Sequence, residues 1–459
     1  MSNIISRICG DLKDKKILIL GYGREGRSTF ELFAPILGKE NICVADLNDL
    51  SGNPELSGVK TVCGENYLDA VKECDVVMKS PGIALLDLIS EEDKKKVTSQ
   101  TDLLLRYAEN KIIGITGTKG KSTTSSLVYH ILKANGVDSR LMGNIGIPPL
   151  SLCGEISEKT VLVLEMSSHQ LEYVKASPNI SVVLNVYSEH LDHYTSFEKY
   201  REAKFNIFKY QNAGDTVIYN ACCENMPEEF FVGLKQNKIP ACDGKIEGEN
   251  YCCLDGESIT LGIGGKKHII PFKQLDTKLI GRHNKYNIAV AIAVCACAGV
   301  PVENAVKSVA DFYGLEHRLE YVGCFGGVHY YNDSICTIPE AAISAVKCFE
   351  KVSTLLIGGM DRGIPYDDFA RFLIKSDIDN LIFMPDSGKR VLGLINSLGG
   401  CSDKKLVMTS GLEEAVKTAK ELTREGGVCL LSPAAASYGF FKNFEERGKA
   451  FKELVKQGG

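Results

Sequence analysis

The chain has no apolar run long enough to cross a bilayer: the longest, Ile288 to Val300, spans 13 residues against the ~20 a membrane helix needs. It lacks a basic excess as well. Lys plus Arg number 53 against 58 for Asp plus Glu, a net charge of −5, which argues against a general nucleic-acid binder. No CxxC spacing occurs among the 17 cysteines, so a zinc ribbon or thioredoxin-type site is not expected. Several of them (Cys43, Cys295, Cys297, Cys429) sit in apolar runs as small hydrophobes, and reduced thiols fit a cytoplasmic setting. The opening MSNIISRICGDLKDKK shows no apolar stretch followed by small residues, so no secretory signal is expected. Short repeats and low-complexity tracts are missing too. What is there is a 459-residue chain, 44% hydrophobic and 24% charged, able to bury sizeable cores in about three domains at ~150 residues each.

Short β-rich runs alternate with helix-length amphipathic segments almost throughout, the pattern of parallel α/β domains. A first series contains KILILGYG, NICVADLND and DVVMKSPG. A second opens with KIIGITGTKGKSTTSSLVYHILKANG, runs through TVLVLEMSS and ISVVLNVYSEH, and includes a hairpin near YCCLDGESITLGIGG. A third reads STLLIGGM, NLIFMP, KLVMTSG and VCLLSPAAASYG. The expected division is 1–100, 101–314 and 315–459, three α/β domains in all.

Gly21-Tyr22-Gly23-Arg24-Glu25-Gly26 follows the strand KILIL and opens a helix, and Asp46 closes the next strand, 20 residues after Gly26. This is the arrangement of a dinucleotide-type turn, in which glycines let the backbone approach a pyrophosphate and the acid bonds a ribose hydroxyl. A plain strand-to-helix turn is the alternative. The second glycine loop is more specific: Gly114-Ile-Thr-Gly117-Thr118-Lys119-Gly120-Lys121-Ser122-Thr123 joins an apolar strand to a long helix. Its N–H groups and the helix N-terminus form a phosphate cradle, Lys121 reaches the β/γ-phosphates and Ser122 takes a Mg²⁺ position. The strict Walker spacing is not met, because Ile115 stands where its first glycine belongs.

Glu165 ends the strand VLVLE, where a carboxylate beside a phosphate loop faces Mg²⁺; a helix cap is its ordinary alternative. His190 lies in NVYSEHLDHY with Asp192 and His193 close by, and a surface or core histidine is the alternative there. Lys204 sits in YREAKFNIFKY, where composition alone reads as an exposed helical lysine.

Together these segments resemble the Mur ligase family, the ATP-dependent amide-forming enzymes of peptidoglycan synthesis. The resemblance covers essentially the whole chain, through GITGTKGKST, GNIG (Gly143 to Gly146), LEMSSHQLE, SEHLDHY, YREAKFNIF, GRHNKYNIA, HRLE and YNDS. The run LLSPAAASYGFFKNFEERGKAF is most similar to the member that adds glutamate, and the DNPR signature of the diamino-acid-adding relatives is absent.

The resemblance implies a Rossmann-like UDP-binding domain, a central P-loop ATPase-type domain and a C-terminal Rossmann-like domain. Arg24, Glu25, Asp46 and Gly82 would meet the uridine diphosphate, and Asn144 matches a further residue on the substrate side. Gly117 to Thr123, with Asn284, Asn287, Arg318 and Asp333, would surround ATP. Ser122 and Glu165 would serve a first Mg²⁺, and His190 and Lys204 a second, with Lys204 carbamylated because a carbamate is an anionic oxygen ligand. Thr337, Arg362, Ser437 and Phe444 would meet the incoming amino acid. One departure stands out: the family's usual DSKATN reads Asp333-Ser334-Ile335-Cys336-Thr337-Ile338, so Ile335 replaces a lysine near the acceptor.

The implied activity is addition of D-glutamate to UDP-N-acetylmuramoyl-L-alanine through an acyl phosphate, with Lys121, His190 and Lys204 as the catalytic set. Peptidoglycan assembly, and with it cell shape and division, would be the setting, and a cytoplasmic monomer acting on small molecules the form. L-Glutamate as acceptor and a folylpolyglutamate synthase are rivals of the same chemistry. A nicotinamide-dependent dehydrogenase, resting on GYGREG and Asp46 alone, and a non-catalytic nucleotide-binding regulator are rivals of another class.

Overall fold

The computed structural model describes residues 3–144 and 147–457. Ile145 and Gly146 of the GNIG segment, together with Met1, Ser2, Gly458 and Gly459, lie outside the described residues. Contacts group the chain into two compact units, Met1–Asp276 with Lys285–Val309, and Thr277–Asn284 with Ala310–Gly459.

The first unit holds two sheets. A five-stranded parallel sheet has Ile17–Leu20 at its centre, between Ile42–Asp46 and Val76–Lys79. Its central strand, ILIL, is buried on both faces, which is why an unbroken apolar run rather than an alternating one encodes it. The last strand of this sheet ends at Thr98 and the helix Gln100–Tyr107 begins at once. That helix ties the two sheets: Gln100 Nε2 donates to Thr29 Oγ1 (2.9 Å), Leu150 N donates to Gln100 Oε1 (3.0 Å), and Lys175 N donates to Asp102 Oδ1 (2.7 Å).

The second sheet has nine strands. Ile112–Thr116 lies at its heart with Val161–Glu165 on one side and Ile180–Val183 on the other, all parallel. Beyond Thr216–Asn220 and Asn237–Asp243 the sheet turns antiparallel. The expected hairpin is there, Tyr251–Asp255 against Ser258–Ile263, with Lys266–Pro271 added outside it. The 13-residue apolar run falls largely in the helix Arg282–Cys297, whose residues Ile288 to Cys295 are fully buried; a helix apolar all round has no solvent face to offer.

The second unit carries a six-stranded sheet. Val328–Asn332, Val428–Leu431, Thr354–Gly359, Asn380–Asp386 and Lys405–Met408 run parallel, with Glu320–Phe325 antiparallel at one edge. The fold is thus α/β with three sheets, as the alternation of β-rich and helical segments implies.

Candidate active site

The glycine loop leaves strand Ile112–Thr116 and opens helix Lys121–Ala134. Gly120 is the residue before the helix and lies at φ +85°; a Cβ there would meet Asn287 Oδ1 at 2.8 Å, so both the turn and the close approach require glycine. Asn185 pins the loop from the neighbouring strand end: Lys119 N donates to its Oδ1 (2.8 Å) and Thr118 N to its carbonyl (3.0 Å). Thr118 Oγ1 accepts from Tyr187 N (2.9 Å) and shares a hydrogen bond with the buried Tyr200 hydroxyl (3.0 Å).

Two lysines converge on this loop. Lys121 Nζ donates to the carbonyls of Gly117 (2.8 Å) and Thr118 (3.1 Å), and Lys204 Nζ donates to Gly117 from below (3.0 Å). Lys121 therefore folds back over the cradle rather than reaching out of it. Lys204, on the helix Phe197–Lys209, is only 2% exposed and stands over the Tyr200 ring. Burial lowers its pKa to about 7, Lys121's charge pushes the same way, and Glu189 opposes them. Composition read Lys204 as an exposed helical lysine; the structure buries it.

Glu165 ends its strand with the side chain 1% exposed. Oε1 accepts from Asn144 Nδ2 at 2.6 Å, while Oε2 is buried with no hydrogen-bond partner. A buried carboxylate oxygen left without a donor fits a cation. No group of three or more His, Cys, Asp or Glu among the described residues forms a ready-made metal cage. Mg²⁺ needs none: it is commonly held by one or two carboxylates together with phosphate oxygens and water.

His190 is half-exposed at φ +56°, in a cluster that the sequence reading did not assemble. Its ring meets His169 edge-on (4.8 Å between centroids), and His169 meets His193 (4.2 Å). His193 Nε2 lies 3.1 Å from Glu172 Oε2, and Lys79 Nζ lies 3.6 Å from that same oxygen. Burial first, then the neighbouring histidines, lowers the His169 pKa to about 4, so its ring is neutral near pH 7. Lys79 is itself 4% exposed, and it was missed because a lysine at the end of a short strand carries no pattern of its own.

In the first sheet the six-residue glycine turn is built for close packing. A Cβ on Gly26 would lie 1.9 Å from the Gly21 carbonyl oxygen. Asp46 braces the turn rather than standing free: Oδ2 accepts from Tyr22 N (2.7 Å) and Oδ1 from Asn48 N (2.8 Å). Arg24 is exposed at the helix start, Glu25 has its pKa raised by burial to about 7, and Gly82 follows Pro81, whose carbonyl accepts from Lys79 (3.4 Å).

The second unit gathers its own expected residues. Asp333 is 5% exposed and accepts from Ser432 Oγ (2.8 Å) and Leu319 N (3.2 Å), next to Arg318 in sequence; burial raises its pKa to about 6. Thr337 and Arg362 meet, Arg362 Nη2 donating to the Thr337 carbonyl at 2.8 Å. Ser437 is 3% exposed, and the Phe444 carbonyl accepts from Ser334 Oγ (2.8 Å). Asn284 and Asn287, both expected around ATP, group with different units: Asn287 with the first, beside Gly120, and Asn284 with the second.

Comparison with known proteins gives a match to the Mur ligase middle domain over residues 115–295. The UDP-N-acetylmuramoylalanine–D-glutamate ligase of Acetivibrio thermocellus is 34% identical over 457 residues, 97% of each chain. The protein of the same name from Clostridium botulinum (strain Langeland) is 34% identical over 473 residues, the full length of both. Among solved structures, MurF ligase from Thermotoga maritima in complex with ADP matches with a TM-score of 0.54 at 16% identity, covering 99% of this chain and 98% of that one.

Proposed function

The chain belongs to the Mur ligase family, and on that footing we propose that it is an ATP-dependent amide ligase joining D-glutamate to UDP-N-acetylmuramoyl-L-alanine in peptidoglycan synthesis. The observation that carries the reading is the convergence of Lys121 and Lys204 on the Gly117 carbonyl, at the mouth of a glycine loop that opens a helix. Loop N–H groups and the helix N-terminus seat the ATP phosphates. When a γ-phosphate enters, Lys121 exchanges two carbonyl partners for phosphate oxygens and neutralises charge as it spreads during transfer.

The substrate carboxylate attacks the γ-phosphorus, ADP leaves, and an acyl phosphate results. The amino group of D-glutamate then adds to the acyl carbon, and collapse of the tetrahedral adduct expels phosphate and leaves the amide. His190, in its exposed position, is suited to take the proton the amine sheds or to hold a metal ion. Glu165 and Ser122 would hold one Mg²⁺ and His190 with Lys204 a second; bound there, Mg²⁺ supplies positive charge to the phosphate oxygens. A lysine with a pKa near 7 is a free amine in about half the molecules at neutral pH. Such an amine adds to CO₂, a proton leaving to solvent, and the carbamate so formed turns Lys204 from a cation into an oxygen ligand. Arg24, Glu25, Asp46, Gly82 and Asn144 are assigned to the UDP substrate, and Thr337, Arg362, Ser437 and Phe444 to glutamate.

The test is phosphate release from ATP and Mg²⁺ with UDP-N-acetylmuramoyl-L-alanine and D-glutamate, L-glutamate or no amino acid. Release with D-glutamate alone is expected. Release with L-glutamate changes the acceptor, and silence with every acceptor removes the ligase reading.

A further inference from the structure

A cavity of about 210 Å³ opens in the second unit at the carboxyl ends of Thr354–Gly359 and Asn380–Asp386, where parallel sheets commonly bind ligands. Met384, Leu412 and Phe440 give it apolar walls, Gly358 and Gly359 one rim, and Ser437 a hydroxyl. Arg447 also lines it, and this arginine is anomalous. It is 2% exposed, and no carboxylate among the described residues pairs with it. Nε donates to Ser334 Oγ (3.0 Å), and Nη2 to the carbonyls of Ser334 (2.8 Å) and Ala435 (3.0 Å); Nη1 has no partner. Burial lowers even this guanidinium's pKa to about 10, leaving it charged at neutral pH.

Asp333 lies near enough to favour its charge without pairing with it. A buried guanidinium with one N–H group left without an acceptor is still costly, and a fold that keeps one next to a cavity gains when an anion arrives. The position of Nη1 shows where. A Cβ on Gly359 would lie 3.0 Å from it, so the bare backbone of the Gly358–Gly359 rim is what separates Nη1 from the cavity's edge. A side chain at 359 would fill the approach.

We propose that Arg447 is a specificity residue for the incoming amino acid: its guanidinium, with Ser437, receives the side-chain carboxylate of glutamate in this cavity. The assignment rests on the ligase reading above and adds a residue to it.

The experiment is phosphate release by the whole chain, titrated separately in D-glutamate, ATP and UDP-N-acetylmuramoyl-L-alanine. Arg447→Lys keeps the charge and loses the fork; the half-saturating D-glutamate concentration is expected to rise at least about tenfold, with the other two substrates little changed. Leu412→Asp places a carboxylate in the cavity to compete for the guanidinium, and it should also raise that concentration about tenfold or more, whereas the uncharged Leu412→Asn raises it less than about threefold. If Arg447→Lys does not fold, the Asp/Asn contrast at 412 decides. Equal glutamate saturation in Leu412→Asp, Leu412→Asn and an active wild type overturns the inference and leaves the ligase reading standing. A wild type that releases no phosphate overturns both.

Discussion

Lys121 Nζ and Lys204 Nζ share one acceptor, the carbonyl oxygen of Gly117, at 2.8 and 3.0 Å. Two ammonium groups that close disfavour each other's charge. Burial, with the neighbouring Lys121 charge pushing the same way, brings the pKa of Lys204 down to about 7.

Replacing Lys121 by alanine removes the charge that follows the transferring phosphoryl group. Steady-state phosphate release should fall by ~10²–10³, about 3–4 kcal/mol of transition-state stabilisation, while the melting temperature stays near that of the wild type. Near-normal turnover would return the loop to a structural role.

Lys204→Ala should be inactive and partly restored by short carboxylic acids that replace the carbamate oxygens. In the wild type, a ¹³C-carbamate resonance should grow as pH rises through about 7, because only the unprotonated amine adds CO₂. An active Lys204→Ala enzyme, or a spectrum without the resonance, refutes the carbamate.

Asp333 gives a pH dependence of stability whose sign follows from burial. Its folded pKa, about 6, lies above the ordinary aspartate value of 3.8, so the folded chain holds a proton that the unfolded chain has lost between those values. The contribution is complete below about pH 4 and lost as pH rises through about 6. Asp333→Asn has no such titration, so its stability relative to wild type should improve by about 2–3 kcal/mol between pH 4 and pH 7. A pH-independent difference in unfolding free energy would show that the carboxyl ionises as in water.

Gly26→Ala would set a methyl 1.9 Å from the Gly21 carbonyl oxygen, and backbone cannot yield as a flexible side chain would. Helix Arg24–Leu37 must move off its strand. Binding of the UDP substrate, followed by calorimetry, should weaken at least about tenfold while ADP binding is kept, since the steric cost is local. Unchanged UDP-substrate affinity would remove the glycine turn from that site.

Much of this architecture was legible because it is encoded in contiguous pattern. Runs such as ILIL and VLVLE announce strands buried on both faces, and the glycine loop with its GKST tail announces a phosphate cradle. The chain of contacts from Lys79 through Glu172 and His193 to His169 and His190 was not legible. Those residues come from three separate segments, and only folding makes them neighbours. Arg447 is a subtler case. FEERGKAF looks like a solvated helix face, yet Arg447, Phe451 and Val455 recur every fourth residue and form the buried stripe of Phe444–Lys456. Spacing placed the arginine inside, while its charge suggested the outside. The departure at Ile335 can be seen in the sequence itself, but nothing in the linear sequence pointed to the buried guanidinium of Arg447.

The buried stretch Ile288 to Cys295 of the helix Arg282–Cys297 also bears on how the protein is made. Its Cys295 thiol lies 3.7 Å from the Val128 carbonyl, on the helix that opens with the phosphate loop. A ribosome extending the chain at ~5–20 residues per second therefore exposes the glycine loop and its sheet well before their apolar cover is synthesised. For that interval of some ten seconds or more, the nascent chain presents a core face to water and to chaperones. Messages truncated between codons 220 and 297 should accordingly yield insoluble product, and those extending past 309 a first unit that can close.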